Sequence, residues 1–133
     1  MNGHLTTDQK GEIAVLKVRE EALKKGAVIS VPTIPARYDL VLDYQGRFYR
    51  AQVKYAEWQS SNCQGAVRVE LRRRKQCYTK DEIDILLVYV APIDRVLWFG
   101  PEVFHDKVGL QVRWQPCKNR QKSGCRMAED FIW

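Results

Sequence analysis

Residues 38–55 read YDLVLDYQGRFYRAQVKY, and this stretch decides the fold. Two runs rich in β-branched and aromatic residues, 38–44 and 47–55, flank a Gln-Gly pair at 45–46. Such runs favour strands, and a two-residue turn in which glycine accepts a positive φ joins antiparallel neighbours. The stretch therefore predicts a β-hairpin, and a further strand-like run at 28–31 extends it to a three-strand meander.

An amphipathic helix is predicted ahead of the meander, over residues 7–25, with Gly26 as a left-handed stop. Apolar residues recur there at helical spacing, at Ile13, Leu16, Ala22 and Leu23, and the stripe is widened by Ala14, Val15 and Val18. Further strands are predicted over 66–74, 83–90, 95–99 and 108–114, with a helical segment after Gly100. Together these elements predict an α/β fold, a mixed β-sheet flanked by helices.

Length and composition indicate one compact domain over residues 1–133. The chain is 45% hydrophobic and 29% charged, which is typical of a globular protein and unlike a disordered or fibrous one. No apolar run approaches a bilayer-spanning length and the first ten residues are polar, so we expect a cytoplasmic protein with no membrane partner. A formal net charge of +6 favours a polyanionic partner, although a basic protein without such a partner fits the charge equally well.

The cysteines do not predict a metal site. They stand at Cys63, Cys77, Cys117 and Cys125, and no two form the closely spaced pair that begins most structural zinc sites. In a reducing compartment we expect free thiols.

A candidate site follows from the hairpin. Gln52 and Lys54 are two apart on one strand and share a face. Asp39 and Gln52 each lie six residues from the Gln-Gly turn, so in register they are close cross-strand neighbours. Glu12 reaches the same edge if the first helix packs beside the hairpin. The cluster suits phosphodiester hydrolysis, in which a divalent cation held by oxygen ligands polarises the phosphate and a lysine stabilises charge or helps to deprotonate water.

These residues resemble the pattern of the PD-(D/E)XK nuclease superfamily. The matching pieces are Gly11-Glu12, Tyr38-Asp39 and Gln52-Val53-Lys54, and the stretches 78–84 and 127–130 are similar to a branch that contains a cyanobacterial intron-encoded homing endonuclease. The resemblance implies a restriction-endonuclease-like core of αβββαβ type. It also implies catalytic roles for Glu12, Asp39, Gln52 and Lys54, and cleavage of double-stranded DNA at specific sites.

The same resemblance implies Mg²⁺ as cofactor, with Mn²⁺ as a substitute. Tyr38 stands where the superfamily usually has Pro, and Gln52 stands where it has a second carboxylate. An amide oxygen can still bind magnesium, and the Val53 carbonyl can add a ligand. The expected metal ligands are therefore Asp39, Gln52, Val53 and Glu12.

Two basic clusters are candidates for DNA binding. In the first, the alternation of residues predicts a strand with one arginine-rich face. A β-ribbon with such a face could enter the major groove of DNA. The alternative is a charged strand edge that resists aggregation. The second could contact phosphates or could be solvated chain. The candidate residues are Arg68, Arg72, Arg73, Arg74 and Lys75 in the first cluster, and Lys118, Arg120, Lys122 and Arg126 in the second.

Several functions fit this pattern. Besides a homing endonuclease, a junction resolvase and a restriction-type nuclease share the fold, and Gln52 is also compatible with a catalytically inactive DNA-binding module. Recognition of a rare target and cleavage of both strands each call for two subunits. We therefore expect a homodimer with a pseudo-palindromic site, or pairs of dimers as a homotetramer. The aromatic residues Trp98 and Trp114 and the apolar end 131–133 are candidates for the subunit contacts.

Overall fold

The structure is a computed structural model that describes residues 3–57, 64–115 and 126–133. The helices span Thr7–Lys25 (α1) and Pro101–Phe104 (α2), and single turns of 3-10 helix lie at Ala91–Ile93 and Ala128–Asp130. The strands span Val28–Ser30 (β1), Leu40–Tyr44 (β2), Arg47–Ala56 (β3), Ala66–Glu70 (β4), Arg72–Arg73 (β5), Gln76–Cys77 (β6), Ile85–Val90 (β7), Arg95–Phe99 (β8), Gly109–Arg113 (β9) and Arg126–Met127 (β10). None of the helices in the described ranges is long and apolar enough to cross a membrane.

Helix α1 has the bounds that the sequence predicts. A capping box joins the Thr6 and Gln9 side chains to each other's backbone, and Gly26 closes the helix with a φ of 73°. The buried stripe is Ala14, Val18 and Ala22, whereas Leu16 and Leu23, expected in the stripe, are exposed. The helix thus packs through a row of small residues spaced four apart, which lie on one face.

The main sheet is mixed, as predicted, with strand order β1-β2-β3-β7-β8. β1, β2 and β3 form the antiparallel meander, and β3 runs parallel to β7. At the hairpin turn both Gln45 and Gly46 have positive φ, 52° and 78°, which is the geometry of a tight two-residue turn. The second strand is shorter than expected and begins at Leu40.

The predicted strand over 66–74 is wrong beyond Glu70. β4 ends there, and the next residue, Leu71, is fully buried. The chain then makes a separate two-stranded ribbon, β5 with β6, around a turn in which Arg74 and Lys75 have positive φ. The arginines therefore do not alternate along one sheet face: Arg68 lies on β4, and the others lie on the ribbon.

The connection between the parallel strands β3 and β7 also differs in detail from an αβββαβ order. Its described part, 64–84, carries β4 and the ribbon, and holds no helix. β4 joins β9 and β10 in a second, three-stranded sheet. The helical segment expected after Gly100 is the single turn α2, with Pro101 at its start.

The main sheet separates two apolar clusters. On one side α1 packs on odd-numbered positions of β3 and β7, such as Ala51 and Val53, and Leu42 of β2 belongs to the same cluster. On the other side the second sheet, α2 and Tyr78 cover the even-numbered positions of β7. Because side chains alternate along a strand, Gln52 and Lys54 point to the side away from α1.

The chain end is used within the molecule. The Phe131 carbonyl accepts a hydrogen bond from the Trp98 N–H (2.8 Å), and the Trp133 N–H donates to the Val96 carbonyl (3.0 Å). The Trp98 and Trp133 rings pack on each other and on Tyr44. The aromatic residues expected to contact a second subunit thus cover the edge of their own sheet.

Candidate active site

Asp39 is fixed at the open end of the hairpin. Its N–H donates to the Ala51 carbonyl (2.8 Å), and its Oδ2 accepts a hydrogen bond from the Val53 N–H (3.0 Å). The last pair of the hairpin is Leu40 with Ala51, so Asp39 stands opposite Gln52. This is the register that the sequence predicts.

Gln52 is a buried amide with an unpaired oxygen. The residue is 5% exposed, and among the described residues its Oε1 has no hydrogen-bond partner. Buried polar atoms are nearly always paired in folded proteins, so an unpaired one calls for a ligand or water. This oxygen lies on the face of β3 that also carries Lys54, and Asp39 stands opposite it in the hairpin. We therefore expect a ligand of the protein to bind at this place.

The Lys54 side chain is held over an aromatic ring. Its Nζ lies 5.1 Å from the centre of the Tyr78 ring, and the Arg37 guanidinium carbon lies 4.4 Å from the same centre. Burial lowers the pKa of Lys54, although the Asp39 charge acts in the opposite direction. The amine is therefore both positioned and easier to deprotonate than an exposed lysine.

Glu12 completes the group predicted from sequence. It is exposed on α1, which packs on β3, and it lies close enough to influence the Asp39 carboxyl. Burial raises the pKa of Asp39, with a smaller contribution in the same direction from Glu12 and opposing contributions from the Val53 N–H and Lys54. Asp39, Gln52 and Lys54 thus lie together at one end of the hairpin, whereas Glu12 lies on α1, which covers the opposite face of the sheet, and is linked to them only by its charge effect on Asp39.

The oxygen atoms of this site fit a divalent cation. Within residues 3–57, 64–115 and 126–133, no three His, Cys, Asp or Glu side chains are grouped as metal ligands, so the amide must replace a carboxylate. The N–H and C=O of a strand residue point to the same edge. Since the Val53 N–H meets Asp39, the Val53 carbonyl faces the same place. Carboxylate, amide and carbonyl oxygens are ligands that Mg²⁺ accepts.

Two residues of the site, Tyr78 and Arg37, were not predicted from the sequence. Tyr78 is fully buried, and its hydroxyl has no partner within the described chain. Arg37, stacked on that ring, is held by Glu82 (Nε–Oε2, 2.8 Å) and donates to the Cys77 carbonyl (3.0 Å). Arg37 stands two residues before Asp39 in the sequence, but only the folded ribbon shows why it belongs there.

The residues predicted to bind DNA divide by location. Arg72 and Arg73 lie on the ribbon, Arg74 and Lys75 form its turn, and all four are exposed. Arg73 is near enough to Asp39 and Lys54 to affect their pKa values, so the ribbon borders the site. Arg72 is paired with Glu70 (2.7 Å). Of the second predicted cluster, Arg126 lies exposed on β10, and Lys118, Arg120 and Lys122 lie outside the described residues. Cys63, Cys117 and Cys125 also lie outside them, while Cys77 is a free thiol.

Comparison with known proteins bears on the family and the fold of the whole chain. No curated protein matches the chain. A solved structure described as a bacterial homing endonuclease, I-Ssp6803I, is similar with a TM-score of 0.75 and 26% identity, over 96% of this chain and 89% of that one. The sequence profile of the PD-(D/E)XK endonuclease family matches residues 5–133. The chain therefore belongs to the PD-(D/E)XK endonuclease family.

Proposed function

We propose that this protein is a metal-dependent endonuclease that cuts double-stranded DNA at specific sites, with the reaction carried by Asp39, Gln52, Lys54 and Glu12. The observation that carries the proposal is the buried, unpaired Gln52 Oε1 beside the Asp39 carboxylate and the Lys54 amine. A cluster of this kind has no stabilising value for the fold, since an unpaired buried oxygen costs about 1–3 kcal/mol. Family membership supports nuclease chemistry at this position.

The metal ligands would be Asp39, Gln52 and the Val53 carbonyl, with Glu12 at the outer side. When bound, a divalent cation polarises a phosphate oxygen and neutralises charge that develops during hydrolysis. We assign this role to Mg²⁺, with Mn²⁺ as a substitute, because the donors are all oxygens.

Lys54 acts on the same phosphate. In its charged form it stabilises the extra negative charge of the pentavalent phosphorus. In its neutral form, which burial makes accessible at a lower pH than for an exposed lysine, it can take a proton from the attacking water. The Tyr78 ring attracts the charged form of the amine and so keeps it at the site.

The biological context we propose is the homing of a mobile intron. The support is the likeness to a bacterial homing endonuclease along nearly the whole chain. Junction resolvases and restriction-type nucleases use the same fold class, so the substrate must be tested directly.

We also propose that the protein acts as a homodimer, with a tetramer of two dimers as the larger alternative. The described chain has one Asp39, Gln52, Lys54 group, and cutting both strands of a duplex requires two sites. Among the exposed apolar residues, we propose Val28 and Phe48 on the meander for the contact, because they are 60% and 74% exposed and lie in one cross-strand row with Asp43. Sedimentation equilibrium with and without duplex tests this: a monomer in both conditions would leave a single-strand nickase as the better interpretation.

The function is tested by incubating the protein with supercoiled plasmid, linear duplex and a four-way junction, with Mg²⁺ or with EDTA. The proposal expects discrete double-strand cuts in a duplex that contains the target, and none with EDTA. The target is selected from a library of random duplexes, and its sequence is read from the ends of the cut products. Cutting restricted to the junction would indicate a resolvase, and binding without any cutting would indicate an inactive DNA-binding module.

A further inference from the structure

The molecule has two grooves that meet at one arginine. The first measures about 490 Å³ and is lined by Val53, Lys54, Arg68 and Glu70 among others; it is here called the catalytic groove because Val53 and Lys54 of the candidate site line it, although Asp39 and Gln52 do not. The second, here called the basic groove, measures about 430 Å³ and is lined by Arg68, Lys107, Arg126, Gly109 and Gln111 with apolar neighbours. Arg68 is the residue common to both linings, so the two grooves adjoin at this side chain.

The two grooves differ in charge balance. Acidic residues line the catalytic groove together with its cations, including Glu57 beside Lys10. The residues that line the basic groove include three cations and no acid. Within the part of the chain that the structure describes, Lys107 and Arg126 form no ion pair, and both are exposed. Their charge is therefore available to an anionic partner.

A third groove shows that cations elsewhere on the surface do have acidic neighbours. It is lined by Lys17, Lys24 and other cations, but also by Asp94, Glu20 and Glu21. Lys17 pairs with Asp94 (3.0 Å), and Lys24 pairs with Glu20 (3.3 Å). The three lysines of this groove are thus paired with acids that line the same groove, and the basic groove has no such acids in its lining.

Gly109 supports the placement of the shared arginine. A side-chain carbon added at Gly109 would lie 2.5 Å from Arg68 Nη2 and 3.1 Å from the Val69 carbonyl oxygen. The Arg68 guanidinium therefore lies across the β9 backbone, at a position that only glycine leaves open. A larger residue at 109 would therefore displace the Arg68 guanidinium from its place between the two grooves.

We infer that the basic groove binds the DNA backbone beyond the scissile phosphate, with Lys107 and Arg126 contacting phosphates and Arg68 leading the strand from the active site into the groove. The inference rests on the proposed function and assigns a substrate path to it. A phosphate backbone is the partner that fits, because its charges repeat along a line and cations without acidic neighbours bind it by counterion release. Phosphate contacts of this kind fix the register of the duplex at the catalytic groove.

The test measures how DNA binding depends on salt. A fluorescently labelled duplex of random sequence is titrated with the full chain, without divalent metal, at KCl concentrations from about 50 to about 200 mM. The double variant Lys107→Gln, Arg126→Gln is compared with the parent and with a matched control, Lys17→Gln, Lys24→Gln, which removes the same charge from the paired groove. Thermal unfolding of each variant shows that it is folded.

The inference expects a shallower salt slope for the basic-groove double variant alone. Loss of two phosphate contacts lowers the slope by about 1.8, so a fourfold rise in salt weakens its binding about tenfold less than that of the parent. The control double variant should keep the parental slope. Equal effects of the two double variants, or no effect of either, would overturn the inference, because net charge rather than position would then govern binding.

Gly109→Ala gives a second measurement at constant charge. The added methyl group displaces Arg68, so the slope should fall by up to about 0.9 although no cation is removed. A parental slope in this variant together with a parental slope in the basic-groove double variant would exclude the path. If the parent binds and cuts DNA and the basic-groove variants behave in the same way, this inference alone is refuted. If the parent neither binds nor cuts DNA, the proposed function is refuted as well.

Discussion

The two faces of strand β3 differ in what they contribute to the molecule. Ala51 and Val53 face α1 and are buried among apolar residues. Gln52 and Lys54, at the alternate positions, are held on the opposite face with an unpaired amide oxygen and an amine whose pKa is lowered by burial. One face stabilises the fold and the other carries groups that the fold alone would not favour. Such a division is expected where a protein maintains a reactive site on a rigid element.

The largest effect expected on the polar face is loss of cutting. Asp39→Asn and Lys54→Met should each abolish detectable cleavage of DNA and leave binding largely intact, because they remove metal and phosphate contacts and not the docking surface. Cleavage and binding assays on the same duplex measure this. Arg19→Ala, on the exposed part of α1, is the control and should cut as the parent does. Near-parental cutting by either site variant would show that the polar face is not the active site.

On the apolar face the largest effect is on stability. Leu42 is fully buried in the same apolar cluster as α1, and Leu42→Ala should lower the free energy of unfolding by about 2–5 kcal/mol, because it leaves a cavity. Urea denaturation measures the loss. Below its unfolding transition the variant should still cut DNA, since Leu42 faces away from the site. A fully folded Leu42→Ala that cannot cut would mean that the two faces are not separable.

Gln52→Leu should stabilise the protein, in contrast to Leu42→Ala. Replacing a buried amide that has an unpaired oxygen with an apolar side chain of similar size should raise the free energy of unfolding by about 1 kcal/mol. The same change should abolish any rise in unfolding temperature caused by Mg²⁺, which the parent should show in a thermal scan. A less stable Gln52→Leu would indicate that the amide is paired in solution and would weaken its assignment as a ligand.

The smallest effect concerns the ribbon that borders the polar face. Arg72→Ala or Arg74→Ala should either relax the base preference or reduce the salt slope of DNA binding by about 1. The two outcomes sort base contacts from phosphate contacts. Binding that equals the parent's for every sequence and salt concentration would leave the ribbon arginines as solvated charge.

The hairpin and the first helix could be predicted from sequence because their signals are local. The Gln45-Gly46 turn fixes the register, and the register alone places Asp39 against Gln52. The helix bounds follow from the capping box and from Gly26. Its buried stripe was harder to predict, since Leu16 and Leu23 are more apolar than Ala14 and Ala22 but lie on the solvent side.

The remaining parts depend on contacts between residues far apart in sequence. The run of arginines after β4 has the alternation of a strand, yet Leu71 is buried and the Tyr78 N–H donates to its carbonyl (3.2 Å), which closes a separate ribbon. That ribbon brings Tyr78 and Arg37 to Lys54. No spacing rule in the sequence predicts such a stack, because its members come from three different segments.

The most direct test of the polar face is the position of the metal. Crystals of the protein with its selected DNA duplex, grown with Mn²⁺, would show the ion by its anomalous scattering. We expect a peak about 2.1 Å from an Asp39 carboxylate oxygen, Gln52 Oε1 and the Val53 carbonyl oxygen, with the scissile phosphate alongside Lys54 Nζ. A complex that cuts DNA while its metal lies away from Asp39 and Gln52 would contradict the account.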